Sequence, residues 1–145
     1  VVSGQAVLMG QSGDDWSGAT VTISDTAQSD VTDASGNFTI ADVTAGIHSS
    51  INAEAPGYLS AACISPTLTA PETTLETVTL LSGDINGDEL VDVADATVVG
   101  ASFGATGPGL PADINRDDIV DILDIILVSI NYGEVGPQEW NCLAE

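Results

Sequence analysis

Asp84-Ile-Asn-Gly-Asp-Glu-Leu-Val-Asp-Val-Ala-Asp95 and Asp113-Ile-Asn-Arg-Asp-Asp-Ile-Val-Asp-Ile-Leu-Asp124 are one twelve-residue pattern written twice, 29 residues apart. Oxygen-bearing side chains recur at positions 1, 3, 5, 9 and 12: Asp84, Asn86, Asp88, Asp92 and Asp95, then Asp113, Asn115, Asp117, Asp121 and Asp124. That is the ligand spacing of a calcium loop. A hard divalent cation gathers roughly six to eight oxygens, and a short loop supplies them only by turning alternate residues inward. Position 7, Leu90 and Ile119, contributes through its backbone carbonyl, and position 9 through a water. One match in an acidic chain could be chance; two in register at every ligand position predict two Ca²⁺ ions.

The repeat resembles the dockerins, small extracellular modules in which two calcium loops each run directly into a helix. The resemblance covers Gly83 to about Gly133 and rests on Gly83-Asp84-Ile-Asn-Gly-Asp88, Leu90-Val91-Asp92, Ala112-Asp113-Ile-Asn115, Ile119-Val120-Asp121 and an Asp at both twelfth positions. It implies a calcium-dependent face for a cohesin-like partner, read around loop positions 10 and 11. Those positions are Val93, Ala94, Ile122 and Leu123, apolar where many dockerins are polar. Position 6, normally Gly for a sharp turn, is Glu89 in one loop and Asp118 in the other, so a left-handed backbone strain is expected at each.

Charge limits the partners. The 145 residues carry 22 acids against one cation, Arg116, a formal net charge of −21. Ten of the acids lie between Asp84 and Asp124, so two Ca²⁺ would bring the chain to −17. Nucleic acid and anionic membrane surfaces are excluded as partners, and no apolar run is long enough to span a bilayer. A chain that begins at Val1 without Met is expected of a secreted protein after signal removal, or of a trimmed piece. Weak calcium sites are useful mainly outside the cell, which gives the same expectation of an extracellular or surface-attached protein.

The two cysteines, Cys63 and Cys142, are expected to be bridged in an oxidising compartment. Such a bridge would clasp the C-terminal tail to the first domain, worth roughly 4–5 kcal/mol on the chain-entropy account. Metal binding by these cysteines with His48 is the poorer alternative, because no ligand pair has suitable spacing.

Before Gly83 the pattern changes. Ala19–Ile23, Phe38–Ile40 and Val78–Leu80 alternate apolar and polar residues, and Asp33-Ala-Ser-Gly36, Thr44-Ala-Gly46 and Pro56-Gly57 supply turns. About seven strands are predicted, near Gln5–Met9, Ala19–Ile23, Gln28–Thr32, Asn37–Ile40, Ile47–Ala53, Leu59–Ile64 and Leu75–Leu80, forming an antiparallel sandwich. Residues 1–80 resemble carboxypeptidase-regulatory-like (prealbumin-like) domains through Gly4–Val7, Gly18–Ile23, Thr32–Phe38, Ala45-Gly46 and Ala55–Tyr58. Such domains carry no catalytic residues and act as spacers, stabilising partners or adhesive modules.

The expected architecture is α+β in two domains: an all-β prealbumin- or Ig-like sandwich over 1–81, a small helical pair of loop–helix repeats over 82–133, and a tail, 134–145, packed back on the sandwich. Leu80-Leu-Ser-Gly83 is no flexible tether, so the two parts are expected to pack together. The helix after the second loop has an apolar arc far wider than a surface helix needs, so it is expected to be buried on two sides. One side is the other helix; the second is the sandwich or another protein chain.

Other features carry plainer readings. Asn37-Phe-Thr39 fits a glycosylation acceptor but is read as strand, and Asp14, Asp15, Asp30 and Asp33 are read as turn acids before cation contacts. Trp16 and Trp140 are read as packing anchors. His48 is the sole histidine, with no Ser or Cys motif around it, so nucleophilic catalysis lacks a base. Two functions remain: a non-enzymatic assembly module docking on a cohesin-like partner, or a subunit whose helical part docks on the sandwich of the next copy in a filament.

Overall fold

A computed structural model describes residues 1–11, 13 and 15–143; Asp14 lies outside them. Strand β1 (Val2–Leu8) organises one layer. It pairs antiparallel with β4 (Asn37–Ile40) on one edge. On the other edge it pairs in parallel with β10 (Thr73–Thr74) and then β11 (Val78–Leu80). The second layer runs β13 (Gln138–Glu139), β8 (Ala61–Ile64), β6 (Ser50–Glu54), β2 (Thr20–Ile23) and β3 (Gln28–Val31). Short pairs complete the set: β5 (Gly46–Ile47) with β9 (Thr67–Leu68), and β7 (Gly57–Tyr58) with β12 (Ser82–Asp84).

Period two decides which side chains meet. In β4, Phe38 and Ile40 point inward while Asn37 and Thr39 face water. Val2, Ala6, Leu8, Val78 and Leu80 join them from the same layer, opposite Val21, Ile23, Ile51, Ala53, Ala61 and Cys63. Each large aliphatic side chain buried here is worth about 1.5–3 kcal/mol.

The sandwich departs from the all-antiparallel expectation: β10 and β11 run parallel to β1, and β13 runs parallel to β8. The expected Ile47–Ala53 strand is two, β5 and β6, because buried His48 interrupts it. The expected Leu59 and Leu75 strand starts fall instead at Ala61 and Val78, and β1 begins at Val2 rather than Gln5. Asp33 Oδ1 accepts from the amides of Ser35 and Asn37, the work of a turn acid. Asp30, also expected to be a turn acid, lies within β3 instead, and its Oδ2 accepts from the amide of Thr39 in β4.

Two helices follow, α1 (Val93–Ser102) and α2 (Ile122–Ile130). Each opens with a capping box: Asp92 with Asp95, and Asp121 with Asp124. The helices pack on each other, and α2 also lies on β12. Gly83 makes that approach possible. Its φ is +121°, and a Cβ there would press on Val91 and on the Val128 backbone of α2. Val91, Val99, Val120 and Val128 thus belong to the same apolar core as the sandwich.

The tail returns to the sandwich as β13. Trp140 is buried, its Nε1 donating to the Glu76 carbonyl at 3.0 Å, and Cys142 is bonded to Cys63. Trp16 is half-buried.

Candidate metal centre

Asp84 begins loop 1 at the end of β12, so the strand delivers its carboxylate into the loop with 1 % exposure. Oδ1 accepts from the amides of Gly87 and Asp88, and Oδ2 from that of Glu89. At the far end, Asp95 Oδ1 accepts from Ile85 and Asn86, and Oδ2 from Asp92. Asp88 Oδ1 accepts from the Leu90 amide and Asn86 Oδ1 from that of Asp88. The loop is thereby wound around its own carboxylates. Oxygens of Asp84, Asp88 and Asp95 lie within 4.8 Å of one another.

Loop 2 repeats the winding. Asp113 accepts from Asp117 and Asp118, Asp124 from Ile114, Asn115 and Asp121, and Asp117 from Ile119. Asn115 Nδ2 donates to Asp117 as Asn86 Nδ2 does to Asp88. The ninth residues, Asp92 and Asp121, are helix N-caps, accepting from the amides of Ala94 and Leu123. The seventh, Leu90 and Ile119, form single β-bridges to Val135 and Thr106. Each loop is thus bridged to the segment that follows the other repeat's helix, and the two repeats are laced together.

This donor set is all oxygen and strongly anionic. Burial pushes the Asp84 carboxyl above its usual range, with Asp95 and Asp88 adding to the rise against the amides of Glu89 and Asp88. Asp113 is raised likewise, by burial first and then by Asp124 and Asp117, against the amides of Asp118 and Asp117. Asp95 and Asp124 have no exposure at all. In loop 1, two buried carboxylates and the exposed Asp88 within 4.8 Å of one another fit a hard divalent cation between them. The expected strain at position 6 is present: φ is +63° at Glu89 and +64° at Asp118.

The four apolar residues at positions 10 and 11 are all exposed, Val93 at 66 %, Ile122 at 56 % and Leu123 at 48 %, with Ala94 beside Val93. Along α2, Leu127 and Val128 are buried, whereas Ile126 and Ile130 face water. The expectation that α2 is covered on two sides holds for α1 and β12, but a third apolar face stays open. Its width arises because α2 has only one Ser and one Asp in nine residues.

Some site contacts were not legible in the sequence. Glu89 reaches Ser60, Arg116 Nη1 donates to the Ser17 carbonyl, and Gln11 Nε2 donates to the carbonyl of Ile114 at 2.7 Å. All three tie a loop to the sandwich across long sequence separations. His48 is far from any metal role: its Nδ1 faces Asp25 and its Nε2 the Thr44 carbonyl.

The carboxypeptidase regulatory-like domain model matches residues 2–81. A search of curated proteins gave no match. Among solved structures, the chain is similar to a chain of a type II cohesin–X-dockerin complex from Acetivibrio cellulolyticus carrying a C-terminal interface mutation. The TM-score is 0.81 at 27 % identity, covering 92 % of this chain and 96 % of that one. The N-terminal interface mutant of the same complex matches with a TM-score of 0.81 at 26 % identity and the same coverage. With more than half its length matched by that family model, the chain belongs to the carboxypeptidase regulatory-like domain family.

Proposed function

We propose that the protein is a non-enzymatic, extracellular, calcium-dependent assembly module. Its β part spans 1–81, its dockerin-like part spans 82–133, and the tail, over residues 134–143, returns to the β part. In this reading Asp84, Asn86, Asp88, the Leu90 carbonyl, Asp92 and Asp95 hold one Ca²⁺. Asp113, Asn115, Asp117, the Ile119 carbonyl, Asp121 and Asp124 hold another. The ions supply no reaction; they neutralise the buried carboxylates and fix the angle at which each loop releases its helix.

The observation that carries the reading is the uncovered apolar face. Val93, Ala94, Ile122 and Leu123 sit immediately beside the capping boxes, so loop geometry sets their position. Large exposed apolar patches mark binding sites. The similarity to a chain of a cohesin–X-dockerin complex supports the same assignment. That match leaves fewer residues unmatched than the loop–helix region contains, so the neighbour has counterparts to most of it.

The partner is a cohesin-like domain. Calorimetric titration with a type II cohesin domain should give binding in calcium and none in EDTA. Equal binding in both, or none in either, would overturn the reading. Polymers of the isolated protein in calcium, seen by light scattering, would transfer the docking face to a copy of the chain.

A further inference from the structure

Both sixth loop positions adopt the left-handed backbone that glycine occupies most easily, at φ +63° for Glu89 and +64° for Asp118. Their side chains differ. That of Asp118 makes no hydrogen bond to any of the described residues. That of Glu89 crosses to the β part, where Oε2 accepts from Ser60 Oγ at 2.8 Å and Oε1 from the Ser60 amide at 3.3 Å. The Glu89 amide donates to Asp84 Oδ2 at 3.0 Å, and its carbonyl accepts from the Gly136 amide at 2.8 Å. One residue therefore joins a candidate metal ligand, the turn before β8 and the returning tail. Gly136 is part of the arrangement, because a Cβ there would occupy the place of the Glu89 carboxylate.

We propose that Glu89 is a positioning residue for loop 1: the clamp from its carboxylate to Ser60 makes calcium affinity at that loop depend on a contact with the β part. This rests on the reading that the loops bind calcium. Loop 2 is held differently, through Arg116 on the Ser17 carbonyl and Gln11 on the Ile114 carbonyl. The reason for Glu at a glycine position follows. Hydrogen bonds to a charged carboxylate outweigh a single left-handed residue. Linkage makes the effect reciprocal, so calcium in loop 1 should tighten the Ser60 contact.

The two explanations of position 6 differ in sign. If only the backbone matters, Glu89→Gly relieves strain and binds calcium as well or better. If the clamp matters, Glu89→Gly weakens loop 1. Asp118→Gly removes the same charge from loop 2 with no clamp to lose, and calibrates the charge effect. Ser60→Ala and Gly136→Ala disturb the clamp while leaving every loop residue in place, and guard against a variant that folds poorly.

Per-loop affinities of the full chain are read by NMR calcium titration, following the amides of Gly87 and Arg116. Ser60→Ala and Gly136→Ala should each weaken loop 1 at least threefold, on the order of tenfold for loss of a charged hydrogen bond, and leave loop 2 within twofold. Glu89→Gly should weaken loop 1 more than Asp118→Gly weakens loop 2. Exchange of the Ser60 amide should slow on calcium addition in the wild type. Unchanged loop 1 affinity in Ser60→Ala and Gly136→Ala, or a gain in Glu89→Gly, overturns the clamp while leaving calcium binding intact. A wild type that takes up no calcium overturns both.

Discussion

Asn131 Nδ2 donates to the backbone carbonyl of Ser82 at 2.7 Å, tying the end of α2 to the strand that delivers Asp84 into loop 1. Both residues are buried, and the same amide also reaches Ser82 Oγ. Water cannot replace the donor without opening the seam between helix and sandwich. Asn131→Ala should therefore destabilise the protein by about 1–3 kcal/mol, the cost of an unsatisfied buried acceptor. Urea unfolding checks this. A loss below about 0.5 kcal/mol would mean that this seam is wet.

Calcium removal should act on the loops before the sandwich. The like charges of Asp84, Asp88 and Asp95 lie within 4.8 Å, and without a cation their repulsion is relieved only by proton uptake or by loop opening. EDTA should lower helical circular dichroism and melting temperature, and Asp84→Ala with Asp113→Ala should do the same without EDTA. Spectra and melting unchanged by EDTA would remove calcium from the account.

How legible this was depends on the range of the interaction. Strand β4 and the spacing of acidic residues in both loops are local patterns, and Phe38 and Ile40 follow from the first. That Asp92 with Asp95 and Asp121 with Asp124 also form capping boxes emerged only with the helices in place. The parallel pairing of β1 with β10 and β11 was not legible, because strand alternation says nothing about direction. His48 split a predicted strand because its ring is held inward by Asp25 and the Thr44 carbonyl, partners the local pattern does not reveal. The open face of α2 was half legible: its composition showed too much apolar surface, but not which residues the sandwich would leave uncovered.

The disulfide should hold the tail rather than the fold. Cys142 also gives its carbonyl to the Glu76 amide at 2.8 Å, and β13 pairs with β8, so packing persists without the bond. Reduction, or Cys63→Ala with Cys142→Ala, should lower stability by roughly 4–5 kcal/mol through the freed unfolded chain. Calcium uptake should be retained. Two alkylatable thiols in the untreated native protein would show that the bond is not formed.

His48 should report on pH. Both ring nitrogens face acceptors, so the doubly protonated ring is favoured, first by the Thr44 carbonyl and then by Asp25, against the opposing effect of burial. Its pKa is raised above the usual value near 6.5. A raised folded-state pKa contributes stability that is complete below the unfolded pKa and is lost as pH rises through the folded one. In saturating calcium, melting temperature should fall as pH rises from 6 through the folded midpoint, and Asp25→Asn should flatten that fall. Because the chain has one histidine, its NMR titration is a single curve. A midpoint at or below 6.5 would contradict the arrangement.

The exposed apolar face beside the loops, proposed above as the docking face, gives the last prediction. Val93, Ile122 and Leu123 are exposed beside the capping boxes, on a chain with one cation and a net charge of −21. Binding through such a face proceeds by burial of apolar area, so affinity for a type II cohesin domain should change little between 0.1 and about 1 M salt, where exposed charge pairs are screened. Ile122→Asp with Leu123→Asp places two carboxylates in the centre of the face. Both side chains are already exposed, so the double variant should fold and take up calcium as the wild type does. Its partner affinity should fall by a hundredfold or more, on the order of the cost of an unpaired charge in a closed interface. If docking survives the double substitution, the helical face is not the contact. If docking is lost only in high salt, charge rather than apolar burial holds the partner.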